Sequence, residues 1–458
     1  MGEMSFSEKE IQALRKDALA HVIPHFANNA SLAKLPRIYT RGQGCYVWDI
    51  EGKRYLDTFA SLLTTVCGHG RAEIIDAIRE QLKLLEFWPN FEDAFTVPLI
   101  KLAKKLAEIL PGDLGVSFFV NSGSEANETA LKMARQYHVA RGNPHRYKVI
   151  ARRNSYHGTT LGGISATGLP WFRTYFEPLL PGFLFAPPAY DGIEVAGEPP
   201  AALRDPLAAM EQMIEWENAG SVAAVIMDPL PGSNTGFPVP PKGYLESVRA
   251  LCDKHDILLI FDEVQTGFGK TGKWFACEHW NVVPDIITLG KGFSAGYVPL
   301  GAAVTTPRVA NYFTQRPGQE LRTGSTYGGH SIACAAALAT IGVIEKEHRV
   351  DRAAEMGEYL KNGLSKLRKY PIVGDVRGLG LLLAVELAQD AKAKKKFDPA
   401  LGVGRWIGDW CFEHGMIMRN NGEILVAAPA LTITKEEVDT VLGLLDQALA
   451  AAMQHFKL

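Results

Sequence analysis

The strongest constraint on the fold is a regular alternation of short apolar runs with longer segments of helical periodicity. The runs are rich in β-branched and aromatic residues, and they comprise residues 116–120, 148–151, 223–227, 257–261, 286–289 and 301–305. Strands that alternate with helices predict an α/β fold with a mostly parallel sheet. Because ligands bind at the carboxyl ends of parallel strands, the residues that follow these runs are the first candidates for a functional site.

The two ends of the chain have a different pattern. Residues 40–57 predict a β-hairpin with a Glu51-Gly52 turn, and after Glu345 amphipathic helices alternate with strand-like runs at 373–376, 381–386 and 424–427. We therefore predict a large domain of residues 71–335 and a smaller α+β domain built from residues 1–70 and 336–458. The Pro- and Gly-rich stretch 187–201 predicts a surface excursion, and Lys394-Lys395-Lys396 predicts a solvated loop.

Composition excludes several classes of protein. The chain has 458 residues, 47% hydrophobic and 21% charged, which suffices for one large core and a second, smaller one. A formal net charge of -2 implies no bulk attraction to nucleic acid or to an anionic membrane. The six cysteines are scattered without a C-x-x-C pair, which argues against structural zinc and disulfides and favours a cytoplasmic protein. The N-terminus lacks a secretory signal, and the longest apolar tract, 332–344, is too short to span a bilayer and predicts a buried helix.

Lys291 is the first candidate for chemistry. It stands between Gly290 and Gly292, just past the apolar run 286–289. A lysine in such a crowded, partly desolvated place has a lowered pKa, which makes the neutral, nucleophilic amine available. The alternative is a solvated loop lysine, and this segment alone does not separate the two.

Two further motifs follow strands. Asn121-Ser122-Gly123-Ser124 opens a helical segment, where backbone N–H groups and hydroxyls at the positive end of the helix dipole can bind a phosphate. The alternative is a helix N-cap with a capping box. Asp262 ends the run 257–261, and a buried carboxylate there requires a cationic or hydrogen-bonding partner, such as a protonated ring nitrogen. The alternative for Asp262 is a helix cap or a structural ion pair.

Residues 267–273 nearly match a nucleotide-binding P-loop. That motif requires Ser or Thr after its lysine, to bind Mg²⁺, and Trp274 stands there instead. No G-x-G-x-x-G follows a strand, so a dinucleotide enzyme is poorly supported.

The three candidate features together match the needs of one cofactor. Pyridoxal 5'-phosphate requires a phosphate-binding turn, a buried carboxylate and a lysine amine, and the glycine-flanked Lys291 supplies the last of these. We therefore predict this cofactor, and we expect no metal.

Longer segments resemble the signature of class III aminotransferases. They are residues 122–126 (SGSEA), 155–158 (SYHG), 261–272 (FDEVQTGFGKTG), 288–292 (TLGKG) and 324–330 (GSTYGGH). The resemblance extends from about residue 35 to the C-terminus. It implies the pyridoxal-phosphate fold type I, a large domain with a mostly parallel sheet and a smaller α+β domain. It also implies a homodimer, or a dimer of dimers, with active sites at the subunit interface.

The same resemblance implies roles for individual residues. Lys291 forms the Schiff base with the cofactor and transfers the substrate proton, while Asp262 pairs with the pyridine nitrogen. The resemblance also implies that the following residues contact the ring or the phosphate of the cofactor: Ser122, Gly123, Ser124, Tyr156, His157, Val264, Gln265 and, from the partner subunit, Thr326. Within this set, Tyr156 stacks on one ring face and Val264 packs on the other. Gln265 resembles the residue that hydrogen-bonds the ring hydroxyl in the ornithine and GABA branches.

Arg419 is the main candidate for substrate binding. It resembles the arginine of amine:pyruvate transaminases that swings in to bind a carboxylate and out to admit an uncharged group, and a guanidinium suits a carboxylate bidentately. The alternative is a surface arginine at a strand start. Ser233 stands where the ornithine and GABA branches carry a glutamate, although Gln265 resembles those branches.

The other substrate-binding candidates are Leu63, Trp88 and Tyr156. Leu63 stands where amine transaminases have a pocket tryptophan, which predicts tolerance of bulkier amines. Trp88, with Phe87 and Phe91, is predicted to line the entrance, and a core role is the alternative for these aromatic residues.

The resulting functional hypothesis is a transaminase that moves an amino group from a primary amine or ω-amino acid to a keto acid, pyruvate, through a pyridoxamine phosphate intermediate. One alternative is another class III reaction, namely a racemase, an aminomutase or a decarboxylase. A second is an acetylornithine- or GABA-like transaminase that uses 2-oxoglutarate. A nucleotide-binding ATPase built on residues 267–273 and a cofactor-binding scaffold without activity are the remaining alternatives.

Overall fold

A computed structural model describes residues 6–32, 36–189, 205–392 and 395–458. The strands are β1 (Tyr39–Gln43), β2 (Tyr46–Asp49), β3 (Arg54–Asp57), β4 (Val116–Val120), β5 (Lys148–Arg152), β6 (Phe183–Ala186), β7 (Val222–Met227), β8 (Leu258–Asp262), β9 (Ile286–Leu289), β10 (Gly301–Thr305), β11 (Val373–Leu379), β12 (Leu382–Leu387), β13 (Met416–Ile417), β14 (Arg419–Asn421) and β15 (Ile424–Ala427). The helices are α1 (Glu8–His21), α2 (Asn29–Leu32), α3 (Ala60–Leu63), α4 (Ala72–Leu84), α5 (Val97–Ile109), α6 (Gly123–Ala140), α7 (Leu161–Ala166), α8 (Pro170–Arg173), α9 (Pro206–Trp216), α10 (Tyr244–His255), α11 (Pro307–Thr314), α12 (Ser331–Lys346), α13 (Arg349–Ser365), α14 (Val403–Glu413) and α15 (Lys435–Phe456).

The central sheet has seven strands in the order β4-β10-β9-β8-β7-β5-β6. Strand β10 runs antiparallel to both of its neighbours, and the other neighbouring pairs are parallel. The predicted α/β class with a mostly parallel sheet is therefore confirmed. Each of the six predicted strands of this sheet is present, and β6 at the edge is an addition that the apolar runs did not predict.

Helices cover the central sheet, which explains its continuous apolar strands. Every residue of β7, β8, β9 and β10 is buried, as is typical of strands covered on both faces. Helix α6 packs against β9 and β10, and α12 packs against α4 and α5. The apolar tract 332–344 lies within α12 and contributes most of its buried residues, so the predicted buried helix is present. Among the described residues, no helix is long and apolar enough to cross a membrane.

The two chain ends form smaller sheets of order β1-β2-β3-β13 and β11-β12-β15-β14. The predicted hairpin of residues 40–57 is present in β1, β2 and β3, and β3 pairs in parallel with β13, with Leu56 opposite Met416. The N-terminal and C-terminal parts of the chain therefore share one sheet. The domain boundaries at residues 70 and 335 stay a prediction. Residues 190–201 of the predicted surface excursion, and Lys394 of the predicted lysine loop, lie outside the described residues.

The carboxyl ends of β4, β7, β8 and β9 lie at one edge of the central sheet, because β4 runs antiparallel to β10 and β10 runs antiparallel to β9. In the β8–β9 pair, Asp262 stands opposite Thr288, three residues before Lys291. The candidate residues that follow these strands are thereby gathered along one edge.

Candidate active site

Lys291 lies just past the end of β9 and lines a cavity at this sheet edge. Its backbone has φ +44°, a left-handed conformation that non-glycine residues adopt rarely. Burial lowers the pKa of its amine, and the nearby Asp262 carboxylate opposes that effect. The amine has no hydrogen bond or ion pair with any residue of the described part of the chain. A buried amine facing a cavity, free of structural partners, favours a chemical role over a solvated loop lysine.

Gly290 allows the chain beside Lys291 to approach the start of α6. A Cβ at this position would lie 3.3 Å from both the backbone nitrogen of Gly123 and Cγ1 of Val264. The segment Gly290-Lys291-Gly292 and the phosphate turn, Asn121-Ser122-Gly123-Ser124, are therefore in direct contact.

Asp262 is the last residue of β8 and is 6% exposed. Its Oδ2 atom accepts hydrogen bonds from Asn127 Nδ2 at 2.7 Å and His157 Nδ1 at 2.8 Å, and Oδ1 accepts one from the Val264 N–H at 3.0 Å. No described lysine or arginine forms an ion pair with it. The carboxylate is thus oriented by hydrogen-bond donors and remains available to a cationic group in the cavity.

Asn127 is a site residue that sequence reasoning did not single out. It is 2% exposed, and its amide also donates to the His157 carbonyl at 2.9 Å and accepts from Thr288 Oγ1 at 2.6 Å. Its position four residues after Gly123 places it on the same face of α6 as the phosphate turn. That spacing was the available signal.

The phosphate turn is also a helix cap. Ser122 Oγ accepts a hydrogen bond from the Glu125 N–H at 3.2 Å, and the Glu125 carboxylate accepts one from the Asn121 N–H at 2.6 Å. The capping alternative therefore holds for Ser122. It does not exclude anion binding, because the first N–H groups of α6, at Gly123 and Ser124, have no acceptor within the helix.

Several other predicted cofactor contacts line the same cavity. Its lining consists of Ser122, Gly123, Ser124, Asn127, Tyr156, His157, Gly158, Asp228, Leu230, Gly232, Asp262, Val264, Gln265, Thr266 and Lys291. Tyr156 packs against Phe172, with ring centroids 5.0 Å apart, and Gln265 Oε1 accepts a hydrogen bond from the Ser233 N–H at 3.2 Å.

Asp228 is a second residue of the cavity wall that the sequence did not indicate. It forms a buried ion pair with Arg152 at 2.7 Å and accepts hydrogen bonds from Ser155 Oγ at 2.7 Å and the Gly232 N–H at 3.1 Å. Burial raises the pKa of its carboxyl, but the charges of Arg152 and His157 and its hydrogen bonds outweigh that effect and lower it overall. Asp228 therefore stays ionised and holds the turn that carries Gly232 and Ser233.

Four predicted site residues do not line this cavity. Thr326 and Arg419 are exposed, and Arg419 is the first residue of β14. Trp88 is 54% exposed, and Phe91 is 49% exposed, so a core role is wrong for both. Leu63 is only 2% exposed and belongs to an apolar cluster that includes Leu230 of the cavity wall.

Lys270, the first lysine of the P-loop-like segment, does not line this cavity. It is fully buried, and its amine donates to the backbone carbonyls of Ala428 at 2.9 Å and Pro429 at 2.5 Å. It therefore joins the central part of the chain to the segment that follows β15. Lys273, which aligns with the lysine of the P-loop motif, is exposed.

Comparison with known proteins decides the family. The family model described as Aminotransferase class-III matches residues 27–449. The chain belongs to this family. It is 35% identical to the putrescine–pyruvate aminotransferase of Pseudomonas aeruginosa, over 97% of this chain and 98% of that protein. This aminotransferase is therefore a pyridoxal-phosphate-dependent enzyme, as the resemblance implied.

Solved structures of relatives confirm the fold type. An (S)-enantioselective ω-transaminase from Thermomicrobium roseum is 38% identical, superposes with a TM-score of 0.93, and covers 98% of this chain and 100% of its own. An ω-transaminase of Pseudomonas jessenii in complex with PMP is 36% identical, with a TM-score of 0.91, over 96% of this chain and 98% of its own. This class III aminotransferase accordingly has the pyridoxal-phosphate fold type I.

The residues around the cavity fit that cofactor. Within the described parts of the chain, the Lys291 amine has no structural partner, and the buried Asp262 carboxylate is paired with no lysine or arginine. The first N–H groups of α6 have no acceptor within the helix and can bind a phosphate. His157 Nε2 is likewise buried without a partner among the described residues. Pyridoxal phosphate needs an amine that can form a Schiff base, a carboxylate to pair with its pyridinium, and a binding site for its phosphate.

Proposed function

We propose that this class III aminotransferase moves an amino group from a primary amine or an ω-amino acid to pyruvate. The observation that carries the proposal is the arrangement of Lys291 and Asp262 on one cavity, with the Arg419 guanidinium free of any described acidic partner. Relatives that act as a putrescine–pyruvate aminotransferase and as ω-transaminases support the same substrate class.

In this proposal the residues around the cavity would hold the cofactor. Lys291 would hold it covalently through its side-chain amine, Asp262 would pair with its ring nitrogen, and Ser122, Gly123 and Ser124 would bind its phosphate. Tyr156 and Val264 would cover the two faces of the ring, and Gln265 would contact the ring hydroxyl. His157 holds Asp262 in place. The bound cofactor supplies an electron sink for the carbanion that forms at the substrate α-carbon.

Lys291 moves the proton in the reaction. With the cofactor bound, Lys291 Nζ would remove the proton from the substrate α-carbon and later return it. Burial favours this step, because a lowered pKa keeps more of the amine neutral at a given pH. Asp262, held by Asn127 and His157, stays available to stabilise positive charge on the ring nitrogen.

Arg419 binds the carboxylate of the keto acid, and Leu63 leaves room for large amines near Leu230. Ser233 in place of the glutamate of the ornithine and GABA branches supports an acceptor other than 2-oxoglutarate. We assign Trp88 to the entrance of the substrate path, and its exposed ring, free to contact an incoming amine, supports that assignment.

We place this enzyme in the cytoplasm as a homodimer in which Thr326 contacts the cofactor phosphate of the partner subunit. The exposure of Thr326 supports that assignment, and six buried, unpaired cysteines suit a reducing compartment.

Mixing Lys291→Ala subunits with Thr326→Asp subunits tests the dimer. Subunit exchange should restore about a quarter of the sites, because half of the dimers are mixed and each has one native site. No recovery of activity would contradict a shared site.

The substrate class is tested by half-reactions of the holoenzyme. Benzylamine, 1,4-diaminobutane and β-alanine are added in turn while the cofactor absorbance is followed, and pyruvate or 2-oxoglutarate is then added to restore it. We expect amines to change the absorbance and pyruvate to restore it at least tenfold faster than 2-oxoglutarate. Restoration by 2-oxoglutarate alone would favour a GABA-like enzyme. With alanine as a chiral substrate, interconversion of its enantiomers without net amine transfer would indicate a racemase.

A further inference from the structure

We infer that Asn421 is a positioning residue that orients Arg419 for the carboxylate of the keto acid. The two residues stand at the ends of the three-residue strand β14, and both side chains are on the same face, as expected for positions two apart in a strand. The inference rests on the proposed function, because it assigns Arg419 a substrate carboxylate.

The contacts of Arg419 leave the two terminal nitrogen atoms of its guanidinium free of hydrogen-bond partners among the described residues. Arg419 Nε donates a hydrogen bond to Asn421 Oδ1 at 3.1 Å. The Phe59 ring lies on another side, with its centroid 6.0 Å from the guanidinium carbon. Neither contact uses the two terminal nitrogen atoms, which together form the end-on fork that binds a carboxylate bidentately. A single bond at Nε therefore restricts rotation without occupying the binding edge.

The chemistry of the partner matters as much as its position. Asn421 is neutral, and no aspartate or glutamate of the described residues forms an ion pair with Arg419. The positive charge is consequently uncompensated until a substrate carboxylate arrives. A carboxylate at position 421 would neutralise the guanidinium and compete with the substrate, whereas an amide holds it through a weaker, uncharged acceptor.

Asn421 is itself anchored to the cofactor cavity. Its Nδ2 atom donates to the Ser233 carbonyl at 2.7 Å, and the Ser233 N–H donates to Gln265 Oε1 at 3.2 Å. Gln265 lines the cavity that contains Lys291. Three hydrogen bonds, from Arg419 to Asn421, from Asn421 to Ser233 and from Ser233 to Gln265, thus link the carboxylate-binding edge to the cavity wall.

The test compares two half-reactions of the holoenzyme and a binding measurement. Asn421→Ala should raise KM for pyruvate about fivefold to tenfold, with kcat and the benzylamine half-reaction unchanged. Asn421→Asp, which keeps the shape, should raise KM for pyruvate more than the alanine variant does. Calorimetry with propionate, an unreactive carboxylate, should show the same order of weakened Kd values. Asn420→Ala is the matched control, because the adjacent asparagine contacts neither Arg419 nor Ser233, and it should change nothing.

Arg419→Ala separates failure of this inference from failure of the proposed function. If Arg419→Ala weakens propionate binding at least tenfold while Asn421→Ala and Asn421→Asp leave it unchanged, the positioning role of Asn421 is wrong and the role of Arg419 stands. If Arg419→Ala also leaves propionate and pyruvate unaffected, the carboxylate role of Arg419 fails, and the inference fails with it. An Asn421→Ala variant that slows both half-reactions equally indicates a merely structural residue and overturns the inference. If Asn421→Ala does not fold, the propionate affinity of the isosteric Asn421→Asp variant decides between these outcomes.

Discussion

Asn127 Nδ2 donates a hydrogen bond to Asp262 Oδ2 over 2.7 Å, so helix α6, which opens with the phosphate turn, also fixes the carboxylate at the end of β8. The two residues are separated by 135 positions in the chain. One helix thereby orients both the phosphate turn and the Asp262 carboxylate, which are two of the three groups that the cofactor requires; the third is the Lys291 amine. A change at Asn127 is therefore expected to affect stability and cofactor binding together.

Asn127→Ala should lower the free energy of unfolding of the apoenzyme by about 2 to 4 kcal/mol, because it leaves buried hydrogen-bonding partners unpaired at Asp262, Thr288 and the His157 carbonyl. Urea denaturation measures this change. The exposed Asn143 is the matched control, and Asn143→Ala should stay within about 0.5 kcal/mol of the wild type. Equal stabilities of the two variants would contradict the structural role of Asn127.

Lys291→Ala should lower the rate of amine transfer by at least about 10²- to 10⁴-fold, because the variant loses the group that removes the substrate proton. The temperature of unfolding of the apoenzyme should not fall, since the Lys291 amine has no hydrogen bond or ion pair with the described residues. Lys273, an exposed lysine of the P-loop-like segment, is the control, and Lys273→Ala should retain full activity. Substantial activity in the Lys291→Ala variant would remove the central residue of the proposed function.

Lys270 predicts a distinctive dependence of stability on pH. Burial lowers its pKa to about 7, against the weaker effects of Asp57 and Cys45, which raise it. The unfolded chain holds a proton on this lysine up to a pKa of about 10.4. Between these two values the unfolded state binds more protons than the folded state, so the stability contributed by this group rises with pH.

Lys270→Met removes that titration. The free energy of unfolding of the wild type minus that of the variant should increase from pH 7 to pH 9, by up to about 1.4 kcal/mol per pH unit. Urea denaturation of both proteins at the two pH values measures it. A difference that does not change with pH would show that the lysine stays charged in the fold, bound as an ammonium to the Ala428 and Pro429 carbonyls.

Gly301→Ala should displace the phosphate turn. An added Cβ at this first residue of β10 would overlap the backbone carbonyl of Ser122, and neither backbone segment can move freely because Gly301 pairs with Val120. We expect a loss of about 1 to 3 kcal/mol in stability and a weaker Kd for pyridoxal phosphate.

Gly443→Ala provides the opposite case. Nothing lies within 4 Å of a Cβ at Gly443, in the exposed face of α15, so alanine there should stabilise the helix by about 0.5 to 1 kcal/mol. If Gly301→Ala were equally well tolerated, the close approach of β10 to the phosphate turn would not be a constraint on the site.

The inner strands β7, β8, β9 and β10 could be predicted because each is a nearly continuous apolar run whose residues are all buried. Strand β6 was missed because it is an edge strand of four residues, three of them only partly buried, and it carries little of that signal. Strands β13 and β14 are two and three residues long, and such short elements have no periodicity to detect. The nucleotide-binding alternative for residues 267–273 is wrong, because the chain belongs to the class III aminotransferases, and Lys270 of this segment is a core residue.

The sequence by itself determined the α/β class, the family and the cofactor, because these depend on residue types at the ends of apolar runs and on motifs of neighbouring residues. Only the tertiary structure decided which residues meet. The insertion of β10 between β4 and β9 places Ser122 and Gly123 beside Gly290, and the pairing of β14 with β15 places Asn421 between Arg419 and Ser233. Strand neighbours and hydrogen bonds between distant segments are set by shared burial, which local pattern does not encode. For that reason Lys291 and Asp262 could be found from sequence, whereas Asp228 and Asn421 could not, and the only signal for Asn127 was its spacing from Gly123.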